Sequence, residues 1–382
     1  MWTPLARAAG AAAPRRARQL GAGLDLVRST GPRYLWRRWR DQAAERRADS
    51  GVSAVYREIW QRAADELGAT LDDLGSGFLE LRRERARTRV WLHWVELEDI
   101  VTHRLSLDKP RVHQLLAAHG VPVPEHIEVD FRDLRRAEGF MRESQRPCVV
   151  KPARGTSGGD GVTAGVRTIE ELIRARLRAS RGDARLLVES QARGDAHRLL
   201  LLDGELLDAV RRRPPAVVGD GSSTVAELIA AENLRRAEGH GWHGFRLLTV
   251  DLEAVLTLAR QGVALSSVPA AGESVVVKGV ESQNASHENE TVRGEISEGL
   301  VAEAAAAVRA VGLRLGGVDL VAPELSRPLR ESGGVVVEVN GTPGFQYHYL
   351  VAEPEAATAV AVPILRRLLD EHDTGARGEC QR

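Results

Sequence analysis

The chain has 382 residues, 43% hydrophobic and 28% charged, which is ordinary for a globular protein with room for two or three domains or lobes. Lys plus Arg and Asp plus Glu both total 53, so the net charge is zero and global charge argues for neither a nucleic-acid nor an acidic partner. No apolar run approaches the roughly 18 residues of a membrane-spanning helix, and the two cysteines, Cys148 and Cys380, form no pairing framework, which makes a reducing cytoplasm the simple inference.

In chain order, residues 1–48 form a basic arm expected to be flexible. Its first 40 residues hold Arg7, Arg15, Arg16, Arg18, Arg28, Arg33, Arg37, Arg38 and Arg40 against one acid, Asp25. The arm lacks the apolar run of a secretory signal. A transit peptide or an RNA-binding tail shares its composition and ranks below a flexible arm. Residues 49–105 read as a small α/β region: a helix over 52–68 ending at Gly68, then a strand pair over 77–94. In "LDKPRVHQLLAAHGVPVPEH", Asp108 suits an N-cap, Pro110 the first turn and Gly120 the position after the helix. Short strands and helices then alternate to about residue 370. Capping boxes open helices at Thr168–Glu171 and Thr224–Glu227, and an alanine-rich helix is expected over 298–313. Residues 237–245 read as a loop whose His240 and His243 lack partners at zinc-ligand spacing. Residues 371–382 read as a polar tail.

The string "CVVKPARGTSGGDGV" (148–162) admits several readings. A P-loop needs its lysine after the glycines, at the start of a helix, whereas Lys151 precedes them. A serine-hydrolase elbow needs a helix directly after the serine, but Gly158, Gly159, Asp160 and Gly161 lead into a second strand. The third reading is a glycine hairpin, about 148–165, whose backbone N–H groups fold over phosphates with a strand lysine reaching the same anion. Against it stands a plain surface hairpin with a solvated lysine.

Two later strands carry acids within apolar runs. Asp319 lies in "GGVDLVAP"; Glu338 and Asn340, two residues apart in "GVVVEVNGTPGF", point to one face. Two carboxylates and an amide oxygen make a hard ligand set suited to Mg²⁺ with nucleotide phosphates. Solvent-facing acids fit poorly, because both strands read as buried and an unpaired buried carboxylate is costly.

From about residue 106 to 350 the chain resembles an ATP-grasp ligase, and within that superfamily the ATP-grasp portion of cyanophycin synthetases and their D-Ala-D-Ala ligase-like relatives. The resemblance is carried by "DKPRVHQLLAAHGVPVP", "VVKPARGTSGGDGV", "VES…GDAHRLLLLDGEL", "RPPAVVGDGSSTVAELI", "GVALSSVPAAGESVVVKG" and "VEVNGTPGF". It implies an α/β (α+β) ATP-grasp domain over 106–370, two lobes with nucleotide between them, beside the small N-terminal region. It also implies a ligase that joins an amino acid or peptide to an amine through an acyl phosphate, with ATP and Mg²⁺, or Mn²⁺ in its place. Carried over residue by residue, Lys109 and Lys151 neutralise phosphates, and Gly155, Ser157, Gly158, Gly159 and Gly161 form the phosphate lid. Glu189, with the backbone of Ser190 and Gln191, receives the adenine. Arg198, Arg212 and Lys278 are catalytic. Asn284 and Ser286 belong to the substrate loop, and Asp319, Glu338 and Asn340 hold the metal. The implied partners are small-molecule or peptide substrates and a homo-oligomer, since such relatives form dimers or tetramers; no membrane and no nucleic acid are implied.

Three departures qualify this. The acid near the hinge glycine, Asp195, sits one residue early for a ribose contact. The family's "N-x-S-T-G-G" loop reads "NASHENETVR", with Glu288 and Asn289 in place of the glycine pair, so that an acid there could favour a cationic group. The chain also ends soon after the ATP-grasp region, without the Mur-ligase-like module of cyanophycin synthetase. A phosphotransferase sharing every nucleotide and metal residue, or a nucleotide-binding protein without turnover, stands as the alternative.

Overall fold

A computed structural model describes residues 51–155, 159–238 and 246–379, the side chains of 372–379 excepted. The arm over 1–48, Ser157, Gly158, the two histidines of the 237–245 loop and Cys380 lie outside the described residues.

Helix α1 (51–67) repeats Val55, Tyr56, Ile59, Trp60, Ala63 and Ala64 at helical spacing, and all six are buried. They pack on an antiparallel meander of β1 (Thr70–Gly75), β2 (Phe78–Arg83) and β3 (Ala86–Trp91). Period-two alternation sends Leu79, Leu81, Ala86 and Val90 inward. Helices α2 (Ile100–Ser106) and α3 (Lys109–Ala118) follow. As expected, Asp108 caps α3, accepting from the Arg111 N–H at 3.2 Å, and Gly120 follows it at φ +70°.

One lobe is a four-stranded antiparallel sheet, order β4-β7-β5-β6: β4 (His126–Asp130), β5 (Cys148–Pro152), β6 (Thr163–Val166) and β7 (Arg185–Ser190). It is backed by α4 (Leu134–Ser144) and α5 (Ile169–Ala179), around a core that includes Cys148, Val150 and Leu172. Thr168 and Glu171 form the expected capping box of α5.

The other lobe is a five-stranded antiparallel sheet, order β12-β9-β8-β13-β14. Its strands are β8 (Asp195–Leu202), β9 (Glu205–Arg212), β12 (Asn289–Thr291), β13 (Leu315–Ala322) and β14 (Val335–Asn340). The covering helix α8 (Glu298–Val311) stops at Gly312, φ +86°, and a single turn α9 (Leu329–Ser332) precedes β14. Between β9 and β12 the chain builds a small insertion: β10 (Ala216–Val218), α6 (Val225–Glu238), α7 (Leu252–Arg260) and β11 (Ser274–Val276), with its own apolar core.

The last helix, α10 (Ala361–Glu379), crosses the division expected at residue 370 and returns to the N-terminal region. Ile364, Leu365, Leu368 and Leu369 join Trp60, Tyr56 and Leu81 in one core, which also takes Leu200, Leu202 and Leu315 from β8 and β13. The N-terminal region is therefore packed on the strands that carry the site. No helix among the described residues is long and apolar enough to cross a membrane.

Gly194 joins the lobes. Its φ is +115°, and a Cβ there would sit 2.2 Å from the carbonyl carbon and oxygen of Ala322. Backbone cannot yield as a side-chain tip can, so Gly194→Ala is expected to destabilise the fold by about 3 kcal/mol through strain and overpacking. Urea unfolding measures this; a change under about 0.5 kcal/mol, the scale of an ordinary surface substitution, would contradict the close approach.

Candidate active site

The cleft between the two sheets gathers charge of both signs. On the five-stranded side, register places Asp319 opposite both Arg198 on β8 and Glu338 on β14. Arg198 grips the Asp319 carboxylate with Nε and Nη2, the latter at 2.6 Å. Asn340 Nδ2 donates to the same carboxylate at 3.1 Å. Neighbouring strands put these four side chains on one face, and the ladder slips one residue just after Asp319.

Two lysines enter from outside that sheet. Lys109, in the first turn of α3, lies 3.3 Å from Glu338 Oε1. Lys151 of β5 ion-pairs with Glu189 at 2.8 Å and donates to the Val337 carbonyl at 3.4 Å. Both lysines are buried. Desolvation works to raise the Glu338 carboxyl, but Lys109, Lys151 and Arg198 outweigh it and hold it below the usual range. His113, one turn after Lys109, lies between Glu189 (3.7 Å) and the Val337 carbonyl (3.2 Å); burial pushes its imidazole down to about 4, so it is neutral there.

Arg212 comes from β9. Its Nη2 donates to the Glu281 carbonyl at 2.8 Å, and its guanidinium stacks over Tyr347 with 4.2 Å to the ring centroid. Its Nε is buried without a hydrogen-bond partner. Desolvation pushes the Glu281 carboxyl up to about 7, against the pull of Arg212. The N-terminal region reaches this rim: the Tyr56 hydroxyl bonds Gln346, and burial together with the Arg198 charge pushes His93 down to about 4.

The structure thus brings together Lys109, Lys151, Glu189, Arg198, Asp319, Glu338 and Asn340, with Arg212 beside them. Gly155, Gly159 and Gly161 sit at positive φ in the connection between β5 and β6, a conformation glycine adopts without strain.

Other expected site residues already have partners within the fold. The Ser190 N–H already bonds the Glu125 carbonyl at 2.9 Å, and the Gln191 N–H bonds Pro147 at 2.8 Å. Each N–H has one strong bond to give, so these two do not await a base, and the Glu189 carboxylate is turned to Lys151. Lys278, expected among the catalytic residues, is buried; its ammonium is spent on Thr249 Oγ1 and Asp251 Oδ2, both at 2.9 Å. In the substrate loop, Asn284 donates to the Asn289 side chain at 2.6 Å and to the Arg213 carbonyl at 3.3 Å, while Ser286 begins a 3-10 turn. Glu288 does not face a cationic ligand: it is buried and accepts the N–H groups of Ala285 and Ala216, both at 2.6 Å. Asp195 lies on the opposite face of β8 from Arg198, 3.5 Å from Arg211.

Residues beside this site that sequence reasoning missed include Glu281, Tyr347, Tyr56 and His93. The acidic "VES" of "KGVESQNASHENET" is the one local hint, a carboxylate three residues from the substrate-loop asparagine.

Two antiparallel-sheet lobes, with lysines held on one side of a cleft and carboxylates on a strand pair at the other, define the ATP-grasp class of fold. No family model matches the chain. The cyanophycin synthetase of Nostoc sp. is 36% identical over 316 residues, 81% of this chain and 33% of that protein. The glutathione biosynthesis bifunctional protein GshAB of Pasteurella multocida is 28% identical over 242 residues, 62% of this chain and 32% of that protein. The crystal structure of a bifunctional glutathione synthetase from Pasteurella multocida matches with a TM-score of 0.52 at 24% identity, over 81% of this chain and 42% of that one. The chain spans about a third of the length of the curated relatives it matches. By sequence it is a homologue of the cyanophycin synthetases, and by fold it is similar to the bifunctional glutathione synthetase.

Proposed function

We propose that the chain binds Mg-ATP in this cleft and uses it to join a carboxylate to an amine. The observation that carries this reading is the arrangement of Lys109, Lys151 and Arg198 against Glu189, Glu338 and Asp319 as matched ion pairs. Such pairs are exchangeable: a triphosphate competes for the cations and a hard metal ion for the carboxylates. The donor set fits Mg²⁺. Asp319, Glu338 and Asn340 supply hard oxygens, and no described group of three or more His, Cys, Asp or Glu makes an all-protein cage. Mg²⁺ commonly takes one or two carboxylates and completes its shell with phosphate and water. When bound, it would neutralise charge building on the phosphates.

The substrate carboxylate attacks the γ-phosphorus, the bond to the β-phosphate oxygen breaks, and an acyl phosphate and ADP result. The amine then attacks the acyl carbon, loses a proton, and phosphate leaves as the amide forms. Lys109 and Lys151 bind and orient the phosphates. Arg198, held by Nε and Nη2, keeps Nη1 for the transferring group. Arg212, clamped between Tyr347 and the Glu281 carbonyl with Nε to spare, meets the oxyanion. The glycine hairpin excludes water, which would hydrolyse the acyl phosphate. Two of the relatives are named for making cyanophycin and glutathione, which favours an amino acid or short peptide as substrate.

The test is phosphate release from Mg-ATP with pooled amino acids and short peptides, in the presence of hydroxylamine. Pool-dependent phosphate together with a hydroxamate is the expected result. A phosphorylated product that leaves hydroxylamine untouched would replace the ligase with a phosphotransferase.

A further inference from the structure

A buried charge cluster lies away from the Asp319 group, at the seam between β6 and the insertion. Asp251 caps α7 by accepting the Ala254 N–H at 3.1 Å, and its Oδ2 takes Lys278 Nζ at 2.9 Å and Arg178 Nη2 at 2.6 Å. Arg178 also donates to the Val162 carbonyl, at the foot of the glycine hairpin.

Two residues on, Glu253 is fully buried. Its Oε2 accepts the Ala164 N–H at 3.0 Å, while its Oε1 accepts the Gly279 N–H at 3.0 Å and the Thr257 hydroxyl at 3.2 Å. Ala164 belongs to the second strand of the hairpin. Gly279 opens the segment that presents the Glu281 carbonyl to Arg212. The same two segments also touch directly, since a Cβ on Gly159 would meet Ser282 Oγ at 2.5 Å. Isolating a carboxylate from water is expensive, and this one recovers the loss through the Thr257 hydroxyl of its own helix and main-chain donors drawn from two separate segments. Desolvation raises its carboxyl above the usual range, with the N–H groups of Ala164 and Gly279 drawing it back.

We propose that Glu253 is a positioning residue that ties the phosphate hairpin to the substrate loop, so that nucleotide bound under the hairpin orders residues 279–291. The inference rests on the nucleotide reading of the cleft. It gives Lys278 a place as well: with Asp251 and Arg178 it fixes the same seam. The coupling has a physical carrier, one side chain shared by two segments, as site-to-site coupling requires.

Hydrogen–deuterium exchange of the full chain with Mg-AMPPNP tests it. In the wild type, exchange is expected to slow in both 160–166 and 279–291. In Glu253→Gln one oxygen becomes a donor facing an N–H, so protection of 279–291 should fall about tenfold while 160–166 stays protected, as befits loss of a charge-assisted bond. Glu253→Asp, which keeps the charge on a shorter arm, should lie between and decides the matter if Glu253→Gln unfolds. Equal protection of both segments in the variants overturns the coupling alone. A wild type in which Mg-AMPPNP protects neither segment overturns the nucleotide reading and this inference with it.

Discussion

Glu338→Gln is expected to lower Mg-ATP turnover by about 10²–10³-fold, the scale on which loss of one preorganised electrostatic contact is felt. The substitution keeps shape and removes one negative charge from a strand position that faces Lys109 at 3.3 Å and lies across the ladder from Asp319. A second consequence separates a metal role from a merely structural one. Without Mg²⁺, the Glu338 carboxylate repels a nucleotide's phosphates and competes with them for Lys109. Removing its charge should therefore leave metal-free ADP binding unchanged or tighter. Calorimetric titration of ADP with and without Mg²⁺ reads both directions. Turnover within threefold of wild type would remove Glu338 from the chemistry. A collapse of metal-free ADP binding would recast it as a support for the lysines.

The parts of this site legible in the sequence were those whose chemistry lies along the chain. Glu338 and Asn340 share a face because a strand has period two, and Asp319 stands out because an acid inside an apolar run needs a partner. Lys151 before its glycines could be ordered against the P-loop by counting alone. What escaped was register. Nothing local says that Asp319 will face Arg198 across one ladder and Glu338 across the other, pairings that join residues 121 apart and 19 apart along the chain. Nor does the string "VESQ" reveal that the N–H groups of Ser190 and Gln191 already serve the sheet, which leaves Glu189 to steer Lys151. Glu288 misled in the opposite way. An acid in a polar loop reads as a ligand, yet its oxygens are taken by Ala285 and Ala216 of its own fold. Chain-local patterns report which chemistry is present; only pairing reports which groups remain free for a substrate.

The N-terminal region gives the sharpest case, because its sequence carries no site chemistry while its packing supports the site. Trp60→Ala is expected to destabilise the chain by about 3–5 kcal/mol, the usual range for removing a buried tryptophan. Trp60 is fully buried, donates through Nε1 to the Leu92 carbonyl at 2.8 Å, and meets Phe345 edge-on with ring centroids 5.4 Å apart. Phe345 opens the turn that carries Gln346 and Tyr347, and Tyr347 supports Arg212. The same core holds Leu200, two residues from Arg198, and Leu315, four from Asp319. The cavity is therefore not confined to an appended module: the free-energy loss should move the whole unfolding transition, and the looser Tyr347 should weaken the Arg212 clamp. Urea unfolding followed by far-UV circular dichroism, with and without Mg-AMPPNP, measures the outcome. One cooperative transition at lower urea, still shifted upward by nucleotide, is the expected result. Two transitions, the nucleotide-dependent one standing where the wild type has it, would mean that the N-terminal region unfolds by itself and leaves the site intact.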